Sequence, residues 1–224
     1  MYFLEKIFRK LHKLFFLKNI INFILINMRF FFWKFRKKHH GENPNDLSFY
    51  KYISTFLNQV KEISVLELGC GEGHLLKKIN QDFENSKLIG YDLNKVSIEI
   101  AKNLNLKNVI FETKDMRKIS NFYDVNFIIS KATLIYFNET ELKQFFQKIK
   151  KVSFKYCIFL ELGTNLPITE KRHFYAHNYQ KIVDEVFDDK VFEIKISDKV
   201  NLEHGWYTND KNIFPVMIII KKNN

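Results

Sequence analysis

The stretch VLELGCGEGH, Val65 to His74, carries three glycines directly after an apolar run. The chain has only 7 glycines among its 224 residues, so this clustering needs a cause. Glycine loses more conformational entropy on folding than any other residue, and it is used where the backbone turns sharply or approaches another group closely. The stretch therefore predicts a tight turn with something lying against it.

Short apolar runs alternate with amphipathic stretches on the C-terminal side of this turn. The strand-like runs are ISVLEL, KLIGYD, NVIFETK, VNFIIS, KYCIFLEL, KVFEIKIS and NIFPVMIII, and the helix-like stretches include HLLKKINQDF, KVSIEIAKNL, ETELKQFFQKIKKV and YQKIVDEVF. Asn94 precedes one helix, and Asn138 with Glu141 forms a capping pattern before another. This alternation predicts a doubly wound α/β fold, with a mostly parallel seven-stranded sheet and a C-terminal antiparallel pair.

The spacing of the glycines argues against a nicotinamide dinucleotide site. Such a site has G-x-G-x-x-G, whose last glycine opens the helix that supports the pyrophosphate. Here the pattern is G-x-G-x-G, and the acidic Glu67 precedes it. A carboxylate there is unfavourable for pyrophosphate but suits a ligand with ammonium and sulfonium charges. Asp92 ends the second strand-like run, about 20 residues further on, where an acid that binds ribose hydroxyls is expected in nucleoside-binding folds.

These residues resemble the motifs of the class I S-adenosylmethionine-dependent methyltransferases. LELGCGEG matches the first motif, an acidic residue, any residue, then G-x-G-x-G. IGYDLN, FETKDMRKI and VNFIISKATLIYF resemble the later motifs in the same order. The resemblance runs from about Ile63 to about Leu162, and more loosely to the C-terminus. It implies a Rossmann-like fold and S-adenosyl-L-methionine as the cofactor.

The resemblance also implies which residues bind the cofactor. Asp92 would hold the ribose, with Leu93 beside the adenine. Asp115 would meet the adenine amino group, and Met116 would donate its backbone N–H to the ring. The expected cofactor-binding set is Glu67, Gly69, Cys70, Gly71, Gly73, Asp92, Leu93, Asp115, Met116 and Ser130.

Features that the sequence lacks narrow the choice of acceptor. The fourth strand-like run continues into Ser130-Lys131-Ala132, without the NPPY or DPPY of amino-methylating DNA enzymes. No Pro-Cys pair is present to supply the thiolate that activates C5 of cytosine. No acidic trio has the spacing of a magnesium site, so we expect no metal. We expect a small-molecule or glycan acceptor, methylated on oxygen.

The catalytic candidates lie in ELGTNLPITEKRHFYAHNY, which follows the fifth strand-like run. Methyl transfer to an alcohol needs alignment of the reactants and removal of a proton. Histidine titrates where a general base is useful, and the i, i+4 spacing of His173 and His177 would place both rings on one face of a helical turn. We predict Glu161, His173 and His177 as catalytic residues, with surface hydrogen bonding as the alternative for each histidine. Lesser candidates are Tyr136 and His204, and Trp206 would stack on a sugar or fill the edge of the core.

The net charge of +11 is concentrated near the N-terminus. Residues 1–40 hold ten Lys and Arg against one acid, Glu5, whereas the remainder holds 26 basic and 24 acidic residues. A nearly balanced main domain does not carry the broad basic surface of a phosphate-backbone binder. Nucleic acid is therefore disfavoured as a partner, and a basic partner surface, if one exists, belongs to the N-terminus.

This N-terminal segment has an amphipathic helical pattern, in which the apolar positions are Phe3, Ile7, Leu11 and Leu14. A membrane span needs about 20 apolar residues, but Lys18 and Arg29 interrupt the stretch. We favour a helix lying in the interface of an anionic membrane. Packing of the helices on protein, and a true span, are the alternatives.

A turn cluster around Pro44 separates this segment from a helical stretch, Leu47 to Val60. We place the boundary near Gly41, between a basic helical extension (1–40) and a methyltransferase-like domain (41–224). Cys70 and Cys157 lie in apolar contexts and no secretory signal is evident, which favours the cytoplasm, with peripheral contact at the inner membrane face. The rival hypotheses are an RNA or protein methyltransferase recruited by the basic arm, and a degenerate cofactor-binding scaffold.

Overall fold

The computed structural model describes residues 28, 34, 44–119, 122–166, 169–170, 174–198 and 210–223. Within them, the helices are α1 (Pro44–Leu57), α2 (His74–Asp82), α3 (Lys95–Lys102), α4 (Glu139–Ile149) and α5 (Tyr179–Val186), with a 3-10 turn at Leu134–Tyr136. The strands are β1 (Ser64–Leu68), β2 (Lys87–Asp92), β3 (Val109–Thr113), β4 (Phe127–Lys131), β5 (Tyr156–Gly163), β6 (Thr169–Glu170), β7 (Tyr175–Ala176), β8 (Phe192–Asp198) and β9 (Phe214–Lys222). The predicted extension, residues 1–40, lies almost wholly outside the described residues.

Seven strands form one sheet in the order β3-β2-β1-β4-β5-β9-β8. The first five are parallel, and β9 pairs antiparallel with both β5 and β8. Strand β5 is buried along its whole length, as expected for a parallel strand that helices cover on both faces. The predicted doubly wound sheet with a C-terminal antiparallel pair is confirmed.

The two faces of the sheet have separate cores, because successive side chains of each strand point to opposite sides. Val65 belongs to the cluster that packs under α1, α2 and α3. Its neighbour Leu66 belongs to the cluster that packs under α4 and α5. The carboxyl ends of β1, β2, β4 and β5 meet at one edge, where polar residues of both faces come together.

The predicted helix starts are confirmed by hydrogen bonds. The Asn94 side chain accepts from the N–H groups of Val96 and Ser97, and Asn138 with Glu141 forms a reciprocal capping box. Helix α1 begins at Pro44, three residues before the predicted start. Proline lacks an N–H and has a helical φ, so it is well suited to the first turn of a helix.

One local prediction is wrong. We expected a helical turn at His173 to His177, but Tyr175–Ala176 is the strand β7, which pairs with β6. His177 continues this extended segment and bridges to Gly163 at the end of β5. Tertiary pairing with β5 therefore overrides the i, i+4 pattern. In the described part of the chain, no helix has the length and apolar character that crossing a membrane requires.

Candidate active site

The glycine loop follows β1 at the carboxyl edge of the sheet. Gly69, Gly71 and Gly73 all have positive φ, of 74°, 53° and 80°. A Cβ at Gly69 would lie 2.1 Å from Oγ1 of Thr133, so no other residue fits there. A Cβ at Gly71 would have no atom within 4 Å. Gly71 thus faces open space, and a ligand can approach its backbone.

Asp92 links this loop to the next helix. One carboxylate oxygen accepts from the Gly71 N–H at 2.9 Å, and the other accepts from the Asn94 N–H at 2.7 Å. A carboxylate has about four lone-pair positions, so it can accept further hydrogen bonds from a ligand. Leu93 follows directly and is half-buried. Asp92 therefore connects the glycine loop to the start of α3 through its two carboxylate oxygens.

Glu67 is a buried carboxyl group next to the loop, on the α1 face of the sheet. It is 5% exposed, and its Oε2 atom has no hydrogen-bond partner within the described residues. Burial, together with the nearby Asp46 and Asp92, raises the pKa of Glu67 to about 8 against the opposing effect of Lys131. Lys131 is itself ion-paired with Asp46. A cationic ligand group would supply the partner that Glu67 lacks.

Cys70 lies inside the loop but is buried in the α1-face core. Burial raises the pKa of its thiol well above the ordinary value, which makes a reactive thiolate unfavourable. Cys157 is also a free, buried residue, and burial raises its thiol pKa likewise. Both cysteines act as small core residues.

Asp115 follows β3 and is held by a residue that the sequence analysis missed. The Nε and Nη2 atoms of Arg117 donate to its two carboxylate oxygens, both at 3.0 Å. Burial opposes ionisation of Asp115, but the contacts with Arg117 outweigh it and lower the pKa of the carboxyl. Met116 is 7% exposed and packs in the α4-face core with Tyr91. Asp115 is thus a fixed anion on the adenine side of the expected site.

Glu161 lies at the end of β5 on the opposite, α4 face of the sheet, and it is fully buried. Its carboxylate accepts from Ser130 Oγ at 2.6 Å and from the N–H groups of Thr133 and Leu134 at 3.0 and 3.1 Å. Burial raises the pKa of Glu161 to about 7, although these hydrogen bonds lower it. All of these partners belong to the protein, so Glu161 holds the turn that follows β4.

This turn reaches the glycine loop through Thr133. The Thr133 hydroxyl donates to the Leu68 carbonyl at 3.1 Å, and its side chain fills the space beside Gly69. Glu161, Thr133 and the glycine loop therefore form one continuous contact across β4. The sequence indicated the fourth motif here, but nothing in it identified Thr133.

His177 is buried beside Gly163, the last residue of β5, and it is 1% exposed. Its Nε2 atom lies 2.9 Å from the Phe137 carbonyl. A carbonyl only accepts, so Nε2 carries the hydrogen and Nδ1 is a bare acceptor. Nδ1 has no hydrogen-bond partner among the described residues. Burial lowers the pKa of His177 to about 4 in spite of Phe137 and Glu139, so the ring is neutral at physiological pH.

Four predicted residues remain, and only Tyr136 is among the described ones. His173, His204 and Trp206 lie outside the described residues. Tyr136 is partly buried and packs with Ile135 and Leu162. A cavity of about 520 Å³ lies beside His177, and its lining includes Thr164, Tyr179, Ile196, Phe214 and Val216.

Comparisons with known proteins agree with this geometry. Residues 59–182, more than half of the chain, match the family model of a methyltransferase domain. A malonyl-[acyl-carrier protein] O-methyltransferase of Priestia megaterium is 30% identical over 132 residues, which are 58% of this chain and 46% of that protein. The ribosomal RNA small subunit methyltransferase A of Mycoplasma mycoides is 24% identical over 169 residues, 73% of this chain and 64% of that protein. The chain thus spans less than two thirds of either relative.

The fold is also found among solved structures. A SAM-dependent methyltransferase from Leishmania major has a TM-score of 0.67 and 16% identity, and the match covers 88% of this chain and 83% of that one. At this identity the likeness concerns the fold alone. Taken with the family match over residues 59–182 and the strand order of the sheet, it shows that the chain belongs to the class I S-adenosylmethionine-dependent methyltransferase family.

Proposed function

We propose that this protein transfers a methyl group from S-adenosylmethionine to a hydroxyl of a small-molecule or glycan acceptor. The observation that carries the proposal is the buried Glu67 carboxyl, which lacks a partner for Oε2 within the described residues and lies next to an open glycine loop. A buried carboxylate is costly unless it is paired with a cation. The ammonium group of the cofactor has the charge that this position requires.

The other cofactor contacts follow the edge of the sheet from β1 to β3. Asp92 would accept from the ribose hydroxyls while it holds the Gly71 N–H. Leu93 and Met116 would line the adenine, and Asp115 would accept from its amino group. The other predicted residues would shape the glycine loop and the turn after β4 and make no polar contact with the cofactor. They are Gly69, Cys70, Gly73 and Ser130.

The chemistry requires little of the protein beyond alignment and removal of a proton. The bound cofactor supplies a methyl group on a positively charged sulfur. His177 would take the proton of the acceptor hydroxyl on Nδ1, since Nε2 is fixed by the Phe137 carbonyl. Glu161 would position the 3-10 turn, because its carboxylate oxygens already accept hydrogen bonds from Ser130 and from the backbone N–H groups of the turn. His173 is proposed as the alternative base.

The cofactor site is tested first by Asp92→Ala. This change removes the acceptor of two ribose hydrogen bonds, and charge-assisted bonds contribute about 1.5–3 kcal/mol each, so affinity should fall at least about tenfold. Calorimetry with S-adenosylmethionine measures the effect, with a circular dichroism spectrum as the check of folding. A folded variant with wild-type affinity would remove Asp92 from the site.

Turnover is tested in a cell extract of small glycans and metabolites. The wild-type protein with S-adenosylmethionine should add one methyl mass to a hydroxylated compound. His177→Ala should lower that turnover by about 10²-fold to 10⁴-fold, as is typical for loss of a general base, with cofactor affinity nearly unchanged. Wild-type turnover in this variant and in His173→Ala would place the base elsewhere or point to an acceptor that needs no deprotonation.

A second candidate acceptor is RNA, since one relative is named a ribosomal RNA methyltransferase and residues 1–40 are strongly basic. Filter binding to ribosomal RNA at increasing salt tests it. Retention with a steep salt dependence, together with methyl incorporation into the RNA, would favour this function. The balanced charge of the main domain favours the small-molecule proposal.

We also propose a cytoplasmic location with peripheral contact at an anionic membrane through residues 1–40. The ten Lys and Arg residues of this segment, interleaved with apolar positions, support it. The full chain should sediment with vesicles rich in phosphatidylglycerol at low salt, and not with phosphatidylcholine vesicles. If the chain sediments with neither kind of vesicle, the segment serves another purpose, such as packing on protein.

A further inference from the structure

Asp46 is a charged residue on the core-facing side of α1. It lies in the first turn of the helix, three residues before the buried Phe49, and Ile53 and Leu57 continue the same buried stripe. Residues three and four apart lie on one side of a helix, so Asp46 faces the sheet with them. A carboxylate in such a position needs a partner. That partner is Lys131 at the end of β4, with which Asp46 forms an ion pair.

Lys131 lies on the same face of the sheet as Glu67. Glu67 is in register with Ile129 of β4, and Lys131 is two residues further along that strand. Side chains alternate along a strand, so Lys131 points to the α1 face together with Ile129. One strand spacing and two residues of rise place the Cα atoms of Glu67 and Lys131 about 8 Å apart. Lys131 therefore extends over the carboxyl end of β1, where Glu67 lies.

Glu67 is the group whose surroundings this ion pair changes. The residue is 5% exposed, and its Oε2 atom has no hydrogen-bond partner in the described part of the chain. Burial raises its pKa, as do Asp46 of α1 and Asp92 of β2, whereas Lys131 of β4 lowers it. Among these described charges Lys131 is the cation, and its ion pair is with Asp46 instead of Glu67.

We propose that Asp46 is a positioning residue of the cofactor site, which holds Lys131 and so keeps Glu67 open to the ammonium group of the cofactor. An unpaired buried charge is costly, so Lys131 without Asp46 would turn to another carboxylate. Glu67 is that carboxylate, since both oxygens of Asp92 already accept backbone hydrogen bonds. The cofactor would then have to displace Lys131. This inference rests on the proposed binding of S-adenosylmethionine at Glu67, and it makes α1 part of the cofactor site.

The experiment compares two ligands that differ in their amino-acid part. S-adenosylhomocysteine carries the ammonium group, and 5′-methylthioadenosine has the same nucleoside without it. Asp46→Asn keeps the size of the side chain and removes its charge. In calorimetry on the full chain, we expect this variant to bind S-adenosylhomocysteine about tenfold more weakly than the wild type, since a charge-assisted hydrogen bond is worth about that factor or more. Its affinity for 5′-methylthioadenosine should equal that of the wild type, and a circular dichroism spectrum checks the fold.

A double variant tests whether Lys131 causes this loss. Adding Lys131→Met to Asp46→Asn removes the competing cation, so the affinity for S-adenosylhomocysteine should return to within about threefold of the wild type. Tyr50→Phe is the matched control, because the Tyr50 hydroxyl donates to Asp82 and thereby attaches α1 to α2. It removes a polar contact of the same helix and should leave the affinity unchanged.

The pH profile gives a readout that a purely structural role of Asp46 would not move. In the wild type the pKa of Glu67 is about 8, so the affinity for S-adenosylhomocysteine should rise between pH 6 and 8 as the carboxyl loses its proton. In Asp46→Asn an acidic neighbour is lost and Lys131 approaches, and both changes lower the pKa of Glu67. The rise in affinity should therefore flatten in this variant and remain in Tyr50→Phe.

The outcomes separate this inference from the proposed function. The inference is overturned if Asp46→Asn binds S-adenosylhomocysteine like the wild type, or if the double variant binds as weakly as Asp46→Asn or more weakly. An equal loss of affinity for 5′-methylthioadenosine also overturns it, because the change would then act on the whole site. Failure of the wild type to bind S-adenosylhomocysteine overturns the proposed function itself, whatever the variants do.

Discussion

Two glutamates at the same edge of the sheet differ in what surrounds them. Glu67 lies near the end of β1 on the α1 face and Glu161 near the end of β5 on the α4 face, with exposures of 5% and 0%. Burial raises the pKa of both, to about 8 and about 7. Yet Glu161 accepts hydrogen bonds from a serine and from a whole turn of backbone, whereas Oε2 of Glu67 has no partner among the described residues.

The comparison teaches that burial and a raised pKa do not by themselves identify a ligand-binding carboxylate. The two residues differ in whether the protein itself donates hydrogen bonds to their carboxylate oxygens. The protein satisfies Glu161 internally, so that residue contributes to stability and to the position of the 133–135 turn. Oε2 of Glu67 has no partner among the described residues, and we propose that the cofactor supplies one. The substitutions below are chosen to separate these two roles.

The largest effect is expected for Glu161→Ala. The change leaves Ser130 Oγ and the N–H groups of the 133–135 turn without their acceptor inside the core, so unfolding free energy should fall by about 3–5 kcal/mol. Urea unfolding measures it. Glu161→Gln keeps one oxygen and should lose about half as much. A loss below about 1 kcal/mol for the alanine variant would show that the turn does not depend on Glu161.

Glu67→Gln should give the reverse pattern, with little change in stability but a large change in cofactor affinity. Loss of the charge-assisted contact to the ammonium group should weaken S-adenosylmethionine binding by about tenfold to a hundredfold. Calorimetry on this variant and on Glu161→Gln checks the contrast. Equal losses of affinity in the two variants would erase the distinction between the two glutamates.

The raised pKa of Glu67 also predicts that proton release accompanies cofactor binding. At pH 7 the carboxyl is mostly protonated without ligand, since its pKa is about 8, and a bound cation would lower that pKa. Affinity should therefore rise between pH 6 and 8, with the binding enthalpy dependent on the ionisation enthalpy of the buffer. The Glu67→Gln variant should lose this buffer dependence, and its persistence there would assign the proton to another group.

The raised pKa of Glu67 also has a smaller effect on the stability of the protein without ligand. Because the folded-state pKa of Glu67 lies above its ordinary value of 4.5, the native state binds more protons than the unfolded state between these pH values. Its contribution to stability is therefore present in full below pH 4.5 and is lost as the pH rises through about 8. Comparing the urea midpoints of wild type and Glu67→Gln at pH 5 and pH 8.5 tests the sign.

The smallest effect is expected for Thr133→Val, which removes the hydroxyl that joins the turn to the Leu68 carbonyl while keeping the side-chain shape. One such hydrogen bond is worth about 1 kcal/mol. Stability should fall by about that amount, and cofactor affinity should fall less than threefold. A larger loss of affinity than in Glu67→Gln would place the main control of the loop in this turn.

The sequence alone was sufficient for the fold, and it is also the source of the proposal that the cofactor binds at the carboxyl edge of the sheet. The local signals are the short apolar runs, the caps at Asn94 and Asn138, and the spacing of Gly69, Gly71 and Gly73. Each acts through the backbone of its own segment. They predicted the starts of α3 and α4 and the sheet correctly. The prediction failed at His173 to His177, where the pairing of β7 with the neighbouring β6 and the bridge from His177 to Gly163 of β5 decided the conformation.

The sequence by itself determined which residue types stand at the strand ends, and hence the family to which the chain belongs. Only the tertiary structure decided what those residues do. Glu67 and Glu161 follow equally apolar runs, and although the glycine motif marks Glu67, no local pattern shows which of the two receives hydrogen bonds from the protein itself. The difference arises because the turn after β4 folds over Glu161 and no described donor reaches Oε2 of Glu67. Hydrogen-bond partners come from residues far apart in the chain, so their presence or absence appears only once the sheet has brought them together.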